Sequence, residues 1–465
     1  MKRKKVIEAV EVVDIADKGK AVAKTPDGKV IFVQGPVPGD VVDILVLKKR
    51  KGVLQGIVKA YRSYSPDRVK PHCSHFEYCG GCKWQHLAYG KQLEYKDRQV
   101  RETLKRIAKV DIPEILPIAG AEKTTYYRNK LEFSFSNKRW LTPEEINSDR
   151  VFGESKVLGF HAPGSFDKII DIRHCYLQGS PSNEIRNFVR DYTLKHGYTY
   201  WDAKANTGLM RNLVIKTSGL NQTMVILGFS HLDKEKIFPL LESLKKKFPE
   251  ITSLNYVINT KLNDSIWDLD IVNFSGEKTI KEKLGDLEFY ISPKSFFQTN
   301  TSQSKVLYDI AVDFAGFTGN ERVLDLYTGT GTIALYVANK VKNVVGIEIV
   351  EDAIKDAKLN AALNQIHNVE FITGDVKDII EGKYEKFDTV IIDPPRAGMH
   401  NKVIEALLKM EAQKIVYISC NPSTQARDIA LLSEKYNALK SQAVDMFPHT
   451  HHVENVVLLE KKQGK

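Results

Sequence analysis

Apolar positions over the last part of the chain come in short blocks rather than in alternation. Arg322–Leu326, Val344–Ile349, Val369–Ile372, Thr389–Ile392 and Ile415–Ile418 are such blocks, each separated from the next by a helical pattern. Blocks of this kind read as strands buried on both faces, and their alternation with helices predicts a doubly wound parallel sheet. This Rossmann-like α/β unit is placed at residues 286–465. The opening stretch has another rhythm: short β-favouring runs cut by Gly19, Gly28, Gly35 and Val37-Pro38-Gly39-Asp40-Val41. Short strands at regular spacing predict a small barrel of the oligonucleotide-binding (OB-like) type over residues 1–62. Between Tyr89 and Lys109, Leu93, Val100, Leu104 and Ile107 fall near one helical face, which predicts an amphipathic helix packed on the C-terminal unit. The remainder of residues 63–285 reads as a mixed α/β central domain. Two basic strands stand out in it, Tyr126–Phe133 and Leu209–Ile215, with Arg128, Lys130 and Arg211 placed by alternation on presentable faces.

Length and charge sharpen this picture. A chain of 465 residues accommodates about three domains. A net charge of +10 points to a polyanionic partner, although a basic soluble protein needs none. The cluster Lys48-Lys49-Arg50-Lys51, beside the barrel, is a candidate phosphate contact. Met1-Lys2-Arg3-Lys4-Lys5 looks like the start of a signal peptide, but Glu8 and Glu11 interrupt the apolar run that must follow. A cytoplasmic protein without a membrane segment is expected. The five cysteines are too few and too unevenly spaced for a disulfide framework, so metal binding or catalysis is the better expectation.

Cys73, Cys79 and Cys82 form a C-x5-C-x2-C set in a turn-rich loop, and the remote Cys175 could close it. Four thiolates suit tetrahedral zinc or an iron–sulfur cluster, and spacing leaves both open. The other candidates sit where the predicted strands end, at the edge where open α/β sheets bind ligands. After the first comes Asp325-Leu326-Tyr327-Thr328-Gly329-Thr330-Gly331, a turn that lets backbone approach a ligand. Glu348 ends the second, where an acid can accept from both ribose hydroxyls; Asp375 ends the third, where it could meet an adenine edge. These features fit NAD or S-adenosylmethionine. Asp325, four residues before Gly329, and the rigid Asp393-Pro394-Pro395-Arg396 turn favour the latter. The fifth strand delivers Ser419-Cys420-Asn421-Pro422, a thiol at the sheet edge. A lone cysteine is more often a small buried hydrophobe; the company of the other motifs changes that reading.

Taken together these motifs, with Ser292–Asn300 and Asp445–Thr450, resemble the S-adenosylmethionine-dependent RNA uracil-5-methyltransferases, specifically the ribosomal-RNA branch with an iron–sulfur cluster. The resemblance covers nearly the whole chain. It implies a TRAM barrel, a class I methyltransferase domain, and a [4Fe–4S] cluster on Cys73, Cys79, Cys82 and Cys175. It further implies Cys420 as nucleophile and Glu454 as base. Gln298, Tyr327, Gly329, Glu348 and Asp393 would bind S-adenosylmethionine, with Asp375 near its adenine. Phe296 resembles the aromatic that stacks in the RNA site, and Arg128, Lys130 and Arg211 would grip the RNA. The expected partner is 23S rRNA met before ribosome assembly is complete, with no obligate protein partner. Thr328 stands where cysteine is frequent, and Thr332 where an amide can contact the cofactor. The chemistry requires an ionised thiol, so an electropositive or hydrogen-bonded setting is expected around Cys420. Transfer RNA or cytosine as target is the near alternative; an NAD-dependent oxidoreductase and a non-catalytic RNA-binding iron–sulfur sensor are the distant ones.

Overall fold

The computed structural model describes residues 5–16, 19–25, 27–50, 53–149, 156–380 and 386–463. Met1–Lys4 of the charged start and Lys51 of the basic cluster lie outside the described residues.

Strands Val6–Ala16, Lys20–Lys24, Val30–Gln34, Val41–Arg50 and Val53–Ser63 close into a barrel in the order first, second, third, fifth, fourth. Its interior is filled by alternate residues including Val12, Ala23, Ile31, Val33, Val42 and Ile44. A buried clasp fastens the barrel's exit. Asp40 accepts from Val37 N (2.7 Å), Ser65 N (2.9 Å) and both ends of the Arg68 fork (2.8 and 2.7 Å). A carboxylate with all these partners tolerates burial that it could not otherwise sustain.

The helix Tyr89–Thr103 continues into a π turn, Leu104–Ala108. The wider turn inserts one residue into the helical register. Ala108 is therefore buried and Ile107, expected on the inner face, is exposed. Val100, Leu104 and Ala108 share a core with Leu324, Ile392 and Ile415 of the C-terminal sheet.

That sheet runs Val369–Thr373, Asn343–Glu348, Arg322–Leu326, Thr389–Ile392, Lys414–Ser419, Glu454–Lys461, Tyr436–Val444, Glu114–Ala119. Its first five strands are parallel and match the apolar blocks to within one or two residues. Glu454–Lys461 enters antiparallel between Lys414–Ser419 and Tyr436–Val444, so Glu454 lies beside the end of the strand that delivers Cys420. Glu114–Ala119, taken from the sequence as central-domain chain, is instead the last strand of this sheet. The hairpin Ile280–Leu284/Leu287–Ile291 straddles residue 285 and buries Ile280, Leu284 and Phe289 in a second core of the C-terminal sheet, with Val323, Ile391 and Val416.

The central domain is a seven-stranded sheet in the order Ile271–Gly276, Ile251–Ile258, Thr223–Phe229, Met210–Thr217, Lys130–Ser136, Val157–His161, Ile169–Asp171. The first basic strand begins only at Lys130, and Tyr126 sits in the loop before it with φ +53°. Arg211 corrects the expectation of an RNA contact. Its strand is covered on both faces, and its guanidinium lies 3.8 Å over the Trp201 ring, pairs with Asp264 at 2.8 Å, and donates to the Asn259, Lys261 and Asn263 carbonyls. It is a buried strut. No helix among the described residues is long and apolar enough to cross a membrane.

Candidate active site

The glycine turn after Arg322–Leu326 is held from below. Buried Asp325 accepts from the Thr328 hydroxyl and from Ala334 N at 3.1 Å, fixing the turn to the helix Thr332–Ala338. Burial pushes its carboxyl up to about 7. Tyr327, Gly329 and Gly331 all have positive φ (65°, 56° and 80°). At Gly331 a Cβ would come within 2.8 Å of the Phe371 ring, so glycine is needed there for space as well as for conformation. Glu348 accepts from Gly329 N (3.1 Å) and Val350 N (3.0 Å), which orients its carboxylate across the turn.

Above this turn opens a cleft of about 680 Å³. Gln298, Tyr327, Gly329, Glu348, Asp393, Cys420 and Glu454 all line it, and so does Phe296, whose ring is 63% exposed. Asp375 stands apart. It caps the short helix Val376–Ile379 through Lys377 N (3.1 Å) and pairs with the Lys377 ammonium at 2.6 Å, which holds its carboxyl below the ordinary value. Sequence reasoning assigned no role to Arg396, Tyr308 or Phe447, which also line the cleft. Arg396 was visible in the Asp-Pro-Pro-Arg turn; the helical Tyr308 has no motif to reveal it.

The charge state of the cleft departs from expectation. Burial pushes Asp393 up to about 7 and, with Asp393 beside it, Glu454 up to about 8. The Cys420 thiol is pushed up to about 11 by burial and by those two carboxyls, against the opposing pull of the Arg396 guanidinium that hydrogen-bonds it. The cationic partner expected for the thiol is therefore present. Its effect is outweighed, because two acids share the desolvated space.

Cys73, Cys79, Cys82 and Cys175 line a separate cavity of about 340 Å³ together with Arg128. Burial drives Cys79 up to about 12 and Cys82 up to about 11, with the neighbouring thiols adding to the shift. Among the described residues no group of three or more His, Cys, Asp or Glu side chains is arranged to hold a single metal ion. Arg128 is half-buried, with its guanidinium 4.9 Å from the centre of the Phe447 ring. Lys130 lies 4.7 Å over Trp267, a ring at the edge of the active cleft.

A parallel sheet with a glycine turn after one strand and an acid closing the next defines a nucleoside-cofactor site at the carboxyl edge of a doubly wound sheet. The family described as tRNA (Uracil-5-)-methyltransferase matches residues 273–462, and the TRAM domain matches residues 6–59. An uncharacterized RNA methyltransferase of Bacteroides thetaiotaomicron is 49% identical over 96% of this chain and 100% of its own length. One from Chlorobaculum tepidum is 40% identical over 99% and 98%. Among solved structures, the Pyrococcus abyssi tRNA (uracil-54, C5)-methyltransferase in complex with S-adenosyl-L-homocysteine is similar with a TM-score of 0.75 and 29% identity, covering 97% of this chain and 99% of that one. The chain belongs to the tRNA (uracil-5-)-methyltransferase family and carries a TRAM domain. It is an S-adenosylmethionine-dependent RNA (uracil-5-)-methyltransferase.

Proposed function

We propose that the protein methylates carbon 5 of a uridine in 23S rRNA through a covalent adduct between Cys420 and carbon 6 of the base. The reading is carried by one observation: Cys420 and Glu454 line the same cleft as the Glu348–Gly329 cradle. Carbon 5 of uracil is a weak nucleophile. Addition of the Cys420 thiolate to carbon 6 breaks the 5,6 double bond and leaves an enolate whose carbon 5 is nucleophilic. S-adenosylmethionine bound over the cradle supplies a sulfonium methyl, which carbon 5 takes as the carbon–sulfur bond breaks. Glu454, which must enter this step deprotonated although burial raises its carboxyl to about 8, then removes the carbon-5 proton; the double bond re-forms and Cys420 leaves as thiolate. The thiol proton must pass to an acceptor in the cleft before the first step, and the Asp393 and Glu454 carboxyls both line it with Cys420.

The target base must be unpaired or flipped out to present both carbons, and the exposed Phe296 ring would offer it a stacking face. Cys420→Ala should abolish transfer of labelled methyl to RNA, and methylation persisting in that variant would sink the thiol mechanism. Glu454→Gln should accumulate a covalent protein–RNA adduct.

For the four-cysteine cavity the proposal is a [4Fe–4S] cluster, which buried thiols of opposed ionisation would hold by donating as thiolates. Anaerobically purified protein should then be brown with about four irons per chain; one zinc per colourless chain would overturn it. A tRNA target is the second reading, favoured by the tRNA enzyme whose fold spans 97% of this chain and whose layout therefore does not select ribosomal RNA. Mapping 5-methyluridine in both RNAs from cells with and without the gene separates the two.

A further inference from the structure

Between the cysteine loop and the catalytic cleft runs a chain of rings that the mechanism does not use. Tyr126 and His174 meet edge to face, with the tyrosine hydroxyl 3.1 Å from His174 Nε2. Tyr176 lies 4.4 Å from His174, His72 lies 4.9 Å from Tyr176, and His449 lies 5.3 Å from His72. Three residues beyond His449 comes His452, whose Nδ1 is 3.3 Å from Arg396 at the wall of the cleft. Tyr126, His174 and His72 are exposed. Tyr126 is also held at φ +53°, a conformation that bulky residues adopt at a cost and that clusters at functional sites.

The strip has a basic flank. Lys83 is joined through its backbone to the His449 carbonyl at 2.8 Å. Lys20 is close enough to add to burial in holding the Lys83 ammonium below its ordinary value. The barrel is seated here too: Gly19 at φ +69° abuts His451, where a Cβ would come within 3.0 Å of the histidine's own. Rings set edge to face or tilted along an exposed strip, with Lys83 tied through its backbone to His449 at the inner end, offer stacking to bases and attraction to phosphates, the combination that holds single-stranded nucleic acid without reading its sequence.

We propose that this strip, Tyr126–His174–Tyr176–His72, is a stacking rail for the single-stranded RNA that flanks the target uridine on one side. The proposal rests on the RNA-methyltransferase reading of the cleft, and extends it to where the rest of the strand lies.

The test measures binding rather than turnover. Full-length Cys420→Ala protein is titrated with labelled oligoribonucleotides carrying the uridine in a hairpin loop, either blunt or extended by unpaired nucleotides on the 5′ or 3′ side. Extension on one side should tighten binding, and Tyr126→Ala or His174→Ala should remove about tenfold of that gain while leaving the blunt hairpin unaffected. Tyr126→Phe should retain the gain. The salt dependence should stay as in the parent for the ring variants, and fall by about one in log–log slope for Lys83→Ala. Equal affinities of parent and ring variants for the extended RNA overturn the rail. A wild-type enzyme that methylates no uridine, while its Cys420→Ala form still shows the ring-dependent gain, would refute the catalytic reading and leave the rail standing.

Discussion

Replacing Lys96 by methionine is expected to damage catalysis from a distance. The Lys96 and Asp445 side chains are fully enclosed, with the ammonium 2.6 Å from Asp445 Oδ1 and 3.1 Å from the Phe447 carbonyl. Burial holds the ammonium below its ordinary value despite the carboxylate beside it. The pair ties the helix Tyr89–Thr103 to the segment that leads through Phe447 to Glu454. Breaking a buried ion pair on one side costs roughly 3–5 kcal/mol, because the surviving charge is stranded. Here Asp445 keeps the Tyr89 hydroxyl (2.9 Å) and Phe447 N (3.1 Å), which places the loss near the lower bound, about 3 kcal/mol. Urea unfolding should register that loss. Adding Asp445→Asn should return about 1 kcal/mol or more, since no unpaired charge then remains buried. In steady-state kinetics kcat should fall while KM for S-adenosylmethionine stays within about twofold, because the Gly329–Glu348 cradle belongs to other elements. A Lys96→Met protein that unfolds within about 0.5 kcal/mol of the parent and turns over normally would refute the reasoning.

Two further outcomes follow from the same geometry. Glu454 carries its proton up to about pH 8 in the fold but only to about 4.5 when exposed, so the folded state binds more protons between those values and stability falls as pH rises through that window. Glu454→Gln should therefore be the more stable form at pH 8, by as much as about 4 kcal/mol, with the advantage nearly gone at pH 4.5; equal melting profiles at both pH values would contradict this. Lys216 is buried and donates to three carbonyls, Ser292 (2.9 Å), Pro293 (3.0 Å) and Ser295 (3.1 Å), just before Phe296 and Gln298. Lys216→Met should raise KM for RNA about tenfold while circular dichroism stays unchanged, as expected of a positioning residue whose loss frees the Phe296 turn.

What could be read from the sequence was what is written locally. Four of the five parallel strands are buried on both faces and announce themselves as blocks, while the edge strand Val369–Thr373 exposes Glu370 and Thr373. Glycines with forced positive φ and acids at strand ends marked the cleft, and the cysteines marked their shared cavity. The failures have a common cause in long-range packing. Arg211 looked like a presented cation because alternation assumes one wet face, whereas its strand is covered on both. Ile107 lost its place to Ala108 through a single π turn. Glu114–Ala119 found its partner more than three hundred residues away, a pairing no local pattern encodes. The thiol's setting depends on which acids are desolvated together, and that is settled only by the fold.

The edge strand Glu114–Ala119 has a consequence for biosynthesis. It precedes the central sheet in the chain but docks on Tyr436–Val444, near the end. During vectorial synthesis the helix Tyr89–Thr103 and this strand emerge early and must wait, unsatisfied, until nearly the whole polypeptide has left the exit tunnel. The central sheet is thus an excursion moored at both ends to one body, so truncating the chain on either side of it cannot release a complete catalytic unit.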